Sequence, residues 1–289
     1  MLRIALPNKG RLSEDSRELF NQAGLDVQVS GDRALAASLG GEFEAIFVRA
    51  QDVAEFVADG AADAGITGFD LVSESRRDLE SLLDLEFGRC RVVVAGREDA
   101  AVTSVADMPD DARVATVFPG IACRFFRDAG KPVQIVPMSG AAEIAPHLGI
   151  ADFIVDITST GSTLKTNGLR EICTVMESTA RLFATSIESS GWQAEKRRSL
   201  EELIGALDSV IRGRSKRYLM ANVPRSALDR VKEILPGLNG PTVVDILDGG
   251  VHVAVHAVVP AVSVYRTIAA LKRLGAEGIL LTRIERLMP

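Results

Sequence analysis

Residues 153–164 join an apolar run to a single acid and then to a cluster of hydroxyls. Phe153, Ile154 and Val155 lead into Asp156. Thr158, Ser159, Thr160, Ser162 and Thr163 follow, interrupted only by Gly161. The run reads as a buried parallel strand. What comes after it is too polar and too small to be core. A loop of this kind, leaving a strand and opening a helix, aims backbone N–H groups and short O–H donors at one point. That is how a phosphate is held without a large charge. A turn that merely caps a helix needs one hydroxyl, and five favour phosphate binding. Asp156 stands where sugar hydroxyls or a bound metal would lie.

Three further places have residue types suited to the same chemistry. Lys9, Gly10 and Arg11 follow the first apolar run directly, at the end of a strand where ligands of open α/β sheets bind. Lysine offers a point charge to phosphate and arginine a bidentate one. Gly10 lets the backbone approach closely. Arg49 lies just past another apolar run and is either a surface charge or a pyrophosphate clamp. Thr67, Gly68 and Asp70 form a glycine-flanked turn into a helix. There Asp70 either suits the helix dipole or accepts hydrogen bonds from a nucleobase amine or ribose hydroxyl. No G-x-x-x-x-G-K-[ST] or G-x-G-x-x-G segment occurs, so a Walker A loop and a dinucleotide fingerprint are both missing. His252 and His256 share a strand face but have no third ligand in sequence, which favours an ordinary sheet face over zinc. His147 ends an apolar helix and reads as structural. Nothing points to a Ser-His-Asp or Cys-His nucleophile.

These residues need elements to hold them. The chain alternates strand and helix from its start. Strands are expected at 2–6, 26–30, 44–48 and 64–66, with helices at 13–23, 52–58 and from 69. The theme repeats with strands at 91–95, 113–117, 133–136 and 153–157, a helix from Pro119 to Gly130 and another over 141–148. Alternation predicts parallel sheets with helices on both faces, and two such runs predict two lobes with a cleft between them. A strand at 181–187 and a helix at 199–212 are expected to return to the first lobe. From about Ser215 the order becomes strand, helix, strand, strand, helix, strand, the ferredoxin-like βαββαβ order. The expected domains are 1–88 with 178–212, then 89–177, then 215–289.

Composition narrows the class. The chain has 289 residues, 47% of them hydrophobic, with a net charge of −6. Two or three domains fit that length. The acidic balance argues against nucleic acid as a partner. Cys90, Cys123 and Cys173 are odd in number and far apart, fitting neither a disulfide framework nor a C-x-x-C metal site. A reducing cytoplasm follows most simply. Met1 to Leu6 reads as a strand rather than a signal peptide, and no apolar run reaches transmembrane length.

The motifs together resemble a known family. Pro7 to Leu12, Asp63 to Gly68, Ala151 to Leu169, and the tail from Pro241 and Thr242 to Gly275, Ala276, Ile284 and Glu285 are similar to the ATP phosphoribosyltransferases in their long form, the first enzymes of histidine biosynthesis. The resemblance runs over essentially the whole chain. It implies a type II periplasmic-binding-protein-like catalytic part with the active site in its cleft. It also implies ATP and phosphoribosyl pyrophosphate as substrates, with Mg²⁺. By motif position, Thr158, Ser159, Thr160, Gly161, Ser162 and Thr163 would hold the 5-phosphate, and Asp156 the ribose hydroxyls or Mg²⁺. Lys9, Arg11 and Arg49 would face the pyrophosphate or triphosphate. Gly10, Thr67, Gly68 and Asp70 would line the nucleotide pocket. The third domain would bind L-histidine as an inhibitor, with Thr242 and Asn222 as contacts, in a homo-oligomer ranging from dimer to hexamer. The competing expectation is a non-catalytic, two-lobed small-molecule binding protein, which in a periplasmic version would need a signal peptide. A different phosphoribosyltransferase is the third.

Overall fold

The computed structural model describes residues 1–28, 35–186, 191–247 and 249–288. The expected strands at 26–30 and 181–187 run partly onto residues outside these. Two compact units divide the chain, one of Met1–Asn21 and Leu25–Leu200, the other of Gln22–Gly24 and Glu201–Pro289.

The first lobe contains β1 (Leu2–Pro7), α1 (Arg11–Gln22), β2 (Val27–Gln28), β3 (Ala36–Leu39), β4 (Phe43–Val48), α2 (Val53–Ala58), β5 (Ala64–Gly68), α3 (Phe69–Ser75) and β6 (Glu80–Asp84). The second contains β7 (Cys90–Arg97), β8 (Ala112–Thr116), α4 (Pro119–Asp128), β9 (Val133–Pro137), β10 (Phe153–Thr158), α5 (Ser162–Thr166) and β11 (Leu169–Ser178). The chain then runs through β12 (Ala180–Ala184) and α6 (Ala194–Arg214). After it come β13 (Lys216–Pro224), α7 (Leu228–Ile234), β14 (Thr242–Asp245), β15 (His252–Pro260), α8 (Val264–Arg273) and β16 (Glu277–Arg283).

The first sheet has the order β2-β3-β4-β1-β5-β12-β6. β1 lies parallel to both β4 and β5, and Ile4, Ala5 and Leu6 are buried, as a strand covered on both faces requires. β12 returns to this sheet antiparallel, between β5 and β6. The second sheet has the order β11-β7-β10-β8-β9. Its β10, β8 and β9 are mutually parallel, whereas β7 is antiparallel to β10 and β11. Each lobe is thus a mixed sheet rather than the all-parallel one that alternation predicts. The passages between lobes, after β6 and before β12, lie side by side: Leu85 N donates to Ala180 O at 3.0 Å, and Ala180 N to Phe87 O at 3.0 Å. This is the two-crossing, two-lobed arrangement expected of a type II periplasmic-binding-protein-like part.

Several elements differ from expectation. α1 begins at Arg11, with Gly10 O accepting from Ser13 N and Glu14 N. Ser13 is therefore buried within the first turn instead of capping it. The helix expected over 141–148 is a single 3₁₀ turn at Ala142–Ile144, because Pro146 has no N–H to continue it. β3, β6 and β11 were not expected at all.

In the second unit β13 to β16 form the sheet β14-β15-β13-β16, all neighbours antiparallel. With α7 and α8 this is the ferredoxin-like βαββαβ arrangement. Leu219, Ala221, Val223, Val253 and Val255 pack against Val231, Leu235 and Leu271, so the two helices cover one face. β13 runs on through Asn222 to Pro224.

Candidate functional site

Parallel strands put their carboxyl ends on one edge, and that edge gathers the expected residues. In the first lobe β1, β4 and β5 end together. Lys9, Gly10 and Arg11 follow β1, Arg49 follows β4, and Thr67 and Gly68 end β5. The Asn8 amide donates to Val48 O at 2.8 Å and ties the first two of these turns together. Lys9, Gly10, Arg11 and Arg49 are exposed. Gly10 has φ +76°, the left-handed region that glycine enters without cost. Thr67 is buried and its hydroxyl donates to Ala50 O at 2.7 Å, so it braces the turn after Arg49.

Asp70 is only 6% exposed. Its Oδ1 accepts from Ser178 Oγ at 2.6 Å, and its own N–H donates to Ser178 Oγ at 3.0 Å. Gly68 must be glycine here, since a Cβ would sit 2.3 Å from the Asp70 carboxylate. Asp70 thus joins the start of α3 to the end of β11, where the chain crosses back. Beside it the Cys90 thiol is pushed up to about 11 by burial, with the Asp70 charge adding and a Ser178 hydrogen bond opposing. It is neutral at physiological pH and no nucleophile.

In the second lobe β8 and β10 are parallel neighbours, and the hydroxyl loop leaves β10. Thr158 is buried and its Oγ1 accepts from Gly161 N at 2.9 Å. Gly161, at φ +78°, turns the chain into α5. Thr160 and Ser162 hydroxyls pair at 3.0 Å. Leu164 anchors the loop in a core with Ala145, Ala151 and Ile154. Ser159, Thr160, Ser162 and Thr163 remain exposed. Three of the five hydroxyls, those of Thr158, Thr160 and Ser162, thus bond within the loop, and all but Thr158 are exposed.

Asp156 is half-buried. Its Oδ1 accepts from Ile157 N at 2.7 Å. Burial pushes its carboxyl up to about 6, the Ile157 amide opposing and the Glu143 charge adding. Such a site gains from a cation or from hydroxyl donors. Among the described residues no three of His, Cys, Asp and Glu come together as a metal cage. The residues present fit Mg²⁺, which takes one or two protein carboxylates and finds its remaining oxygens on phosphates and water.

A cleft of about 410 Å³ lies where the two crossings meet the hydroxyl loop. Asp84, Arg89, Cys90 and Arg91 line it from one crossing, Ser178, Thr179 and Arg181 from the other, and Ser159 from the loop. Sequence reasoning missed its three arginines. The Arg181 guanidinium stacks on the Phe69 ring at 4.1 Å, and its Nε donates to Thr179 Oγ1 at 3.3 Å. Arg91 pairs with Glu171 at 2.6 Å. Of the expected residues only Ser159 lines this cleft. Lys9, Arg11, Arg49 and Asp156 stand at the strand ends outside it.

Thr242 and Asn222 lie on the face of the third sheet that the helices leave open. Thr242 pairs across with His256, whose Nδ1 is 2.9 Å from Tyr218 Oη. Asn222 is two residues from Met220, the β13 partner of His256. Among the described residues no helix is long and apolar enough to cross a membrane.

Comparison with known proteins identifies the family. A family model described as "HisG: ATP phosphoribosyltransferase" matches residues 49–209, and one described as "HisG, C-terminal domain" matches 213–286. The chain is 66% identical over 292 residues to an ATP phosphoribosyltransferase of Gemmatimonas aurantiaca, covering 100% of both chains. It is 48% identical over 289 residues to one of Haloarcula marismortui, covering 99% of this chain and 100% of that one. A solved ATP phosphoribosyl transferase (HisG:HisZ) complex from Thermotoga maritima matches with a TM-score of 0.64 and 28% identity, over 73% of this chain and 99% of that one. No finding favours a non-catalytic binding protein. The chain belongs to the ATP phosphoribosyltransferase family, the enzymes that transfer the phosphoribosyl group of phosphoribosyl pyrophosphate to N1 of the adenine of ATP, releasing pyrophosphate, in the first step of histidine biosynthesis.

Proposed function

We propose that the two lobes divide the substrates between them, the second lobe holding phosphoribosyl pyrophosphate and the first holding ATP. The observation that carries this is the cleft in which Ser159 of the hydroxyl loop meets Arg89, Arg91 and Arg181 from the two crossings. Hydroxyls from Thr158 to Thr163 receive the 5-phosphate, and Asp156 accepts from the ribose hydroxyls. Lys9, Arg11 and Arg49 face the triphosphate or the departing pyrophosphate. Thr67, Gly68 and Asp70 shape the nucleotide side, Asp70 with its Oδ2. Adenine N1 is already a lone-pair nucleophile, so the step needs no general base. The N1–C1′ bond forms as the C1′–O bond breaks, and its electron pair leaves with pyrophosphate. Positioning and charge stabilisation carry such a displacement. Mg²⁺ bound at Asp156 and the substrate phosphates would offset the charge growing on pyrophosphate.

The remaining assignments belong to the same reading. Residues 1–88 with 178–212 form the first catalytic domain, 89–177 the second and 215–289 a regulatory domain. L-Histidine binds the open face of the third sheet near Thr242 and Asn222. Exposed Val243, Val244, Leu280 and Leu281 on β14 and β16 support association into a homo-oligomer, from dimer to hexamer. A cytoplasmic site of action fits three free thiols.

The test follows the ultraviolet absorbance of the adenine ring, with pyrophosphatase present to draw the reaction forward. A rise is expected only with ATP, phosphoribosyl pyrophosphate and Mg²⁺ together, and added L-histidine should suppress it. A rise indifferent to histidine would remove the regulatory assignment. A rise without Mg²⁺ would remove the metal.

A further inference from the structure

α3 begins on the first lobe, yet it is wedged against the second. Its Leu71 packs on the second-lobe core around Phe118, Phe126 and Val92. One turn further, Glu74 reaches the N-terminus of α4. Its Oε1 accepts from Gly120 N at 2.7 Å and its Oε2 from Ile121 N at 2.8 Å. Arg124 of α4 returns the contact, donating to Ser73 O at 2.6 Å. The first amides of a helix have no partner within the helix and carry partial positive charge. A carboxylate bridging two of them is a strong, directional joint. Gly120 is shaped to receive it: a Cβ there would lie 3.0 and 3.1 Å from the two Glu74 oxygens.

The position of this joint gives it a consequence for the reaction. α4 follows β8, the parallel neighbour of β10, so its N-terminus lies on the same strand-end edge as the hydroxyl loop. α3 follows β5, on the edge that carries Lys9, Arg11 and Arg49. We propose that Glu74 is a positioning residue that sets the distance between the two substrate-holding edges. It touches neither substrate and acts through α4. This rests on the division of substrates between lobes given above.

The test compares Glu74→Gln, Glu74→Asp and Gly120→Ala. The glutamine amide keeps one acceptor oxygen and turns an NH₂ toward the second N–H. Aspartate keeps the charge but is one methylene short. The alanine methyl presses on the carboxylate from the opposite side. For each variant, turnover, melting temperature and equilibrium binding of each substrate alone are measured. Because misplacement by about 1 Å costs on the order of 100-fold, kcat is expected to fall roughly 10- to 100-fold in Glu74→Gln and Gly120→Ala, and less in Glu74→Asp. Binding of either substrate alone should change by less than about twofold on the same grounds, since each lobe keeps its own contacts. The Glu74→Gln/Gly120→Ala pair should be no worse than the poorer single variant, because both break one contact. Unchanged kcat in either single variant overturns the proposal. So does a fall in kcat matched by equal losses in separate binding or in melting temperature, which marks a purely structural contact. A failure of the substrate division is seen separately, as unaltered phosphoribosyl pyrophosphate binding in Thr163→Val.

Discussion

Asp156→Asn should make the protein more stable and less active. The carboxyl stands at about 6 in the fold against an ordinary 3.8. In that interval the folded state holds a proton that the unfolded chain releases, so stability falls as pH rises from about 4 through about 6. Above 6 the full penalty of keeping a half-buried charge is present. Two units at about 1.4 kcal/mol each set a ceiling near 3 kcal/mol. Solvent still reaches part of the group, which reduces the expectation to about 1–2 kcal/mol. Asparagine has the same shape and keeps an acceptor for the Ile157 amide. The only tryptophan, Trp192, lies within the first unit, so its fluorescence follows urea unfolding of the catalytic part. In metal-free buffer the variant should exceed the parent by about 1–2 kcal/mol at pH 8, and the gap should close by about pH 4. Turnover at pH 8 should drop roughly 10- to 100-fold, the worth of a charged hydrogen bond. A stability difference that ignores pH, or a variant weaker than the parent at pH 8, would refute the argument that burial raises this group.

Thr163→Val and Lys9→Ala both alter exposed side chains and should fold normally; the first should raise the KM for phosphoribosyl pyrophosphate roughly 10-fold or more and the second should lower kcat, each reflecting a lost contact to charge. Unchanged kinetics in both would dismiss the site. Gly65→Ala places a methyl 2.5 Å from Val53 Cγ1 and 3.0 Å from Val57 Cγ2, so thermal melting should show about 1–3 kcal/mol of overpacking. Gly161→Ala meets nothing within 4 Å and should cost only the left-handed backbone, about 1–2 kcal/mol. Arg181→Met should lower kcat/KM more than it lowers stability, where the lost stacking on Phe69 accounts for only about 0.5–1 kcal/mol.

What could be read from the sequence was local. Strands buried on both faces appear as apolar runs, so β1, β4, β7, β8 and β10 were visible, and so were the polar turns at their ends. β11 was hidden because shifts between Glu171 and Cys173 and between Thr174 and Met176 break its alternation. β6, with residues Glu80 to Asp84, carries too few apolar positions to announce itself. The cleft arginines were invisible for a different reason. Arg181 joins Arg89 and Arg91 only when the two crossings lie together, and no spacing in the chain encodes that. Asp70 was visible as a helix-start acid, while its partner Ser178, 108 residues later, was not.

The place of β12 bears on how the protein is made. Its five residues fill the gap between β5 and β6, yet they emerge from the ribosome only after the whole second sheet. Until then β5 and β6 have open edges, and unpaired edges invite association with other chains. The second sheet is continuous in sequence from Cys90 to Ser178 and can close first. Completion of the first lobe must wait for a distant segment, which makes that step slow. During synthesis the nascent chain is therefore most exposed to aggregation while residues 89–180 are being made, and a strand-breaking change in β12 would prolong that interval.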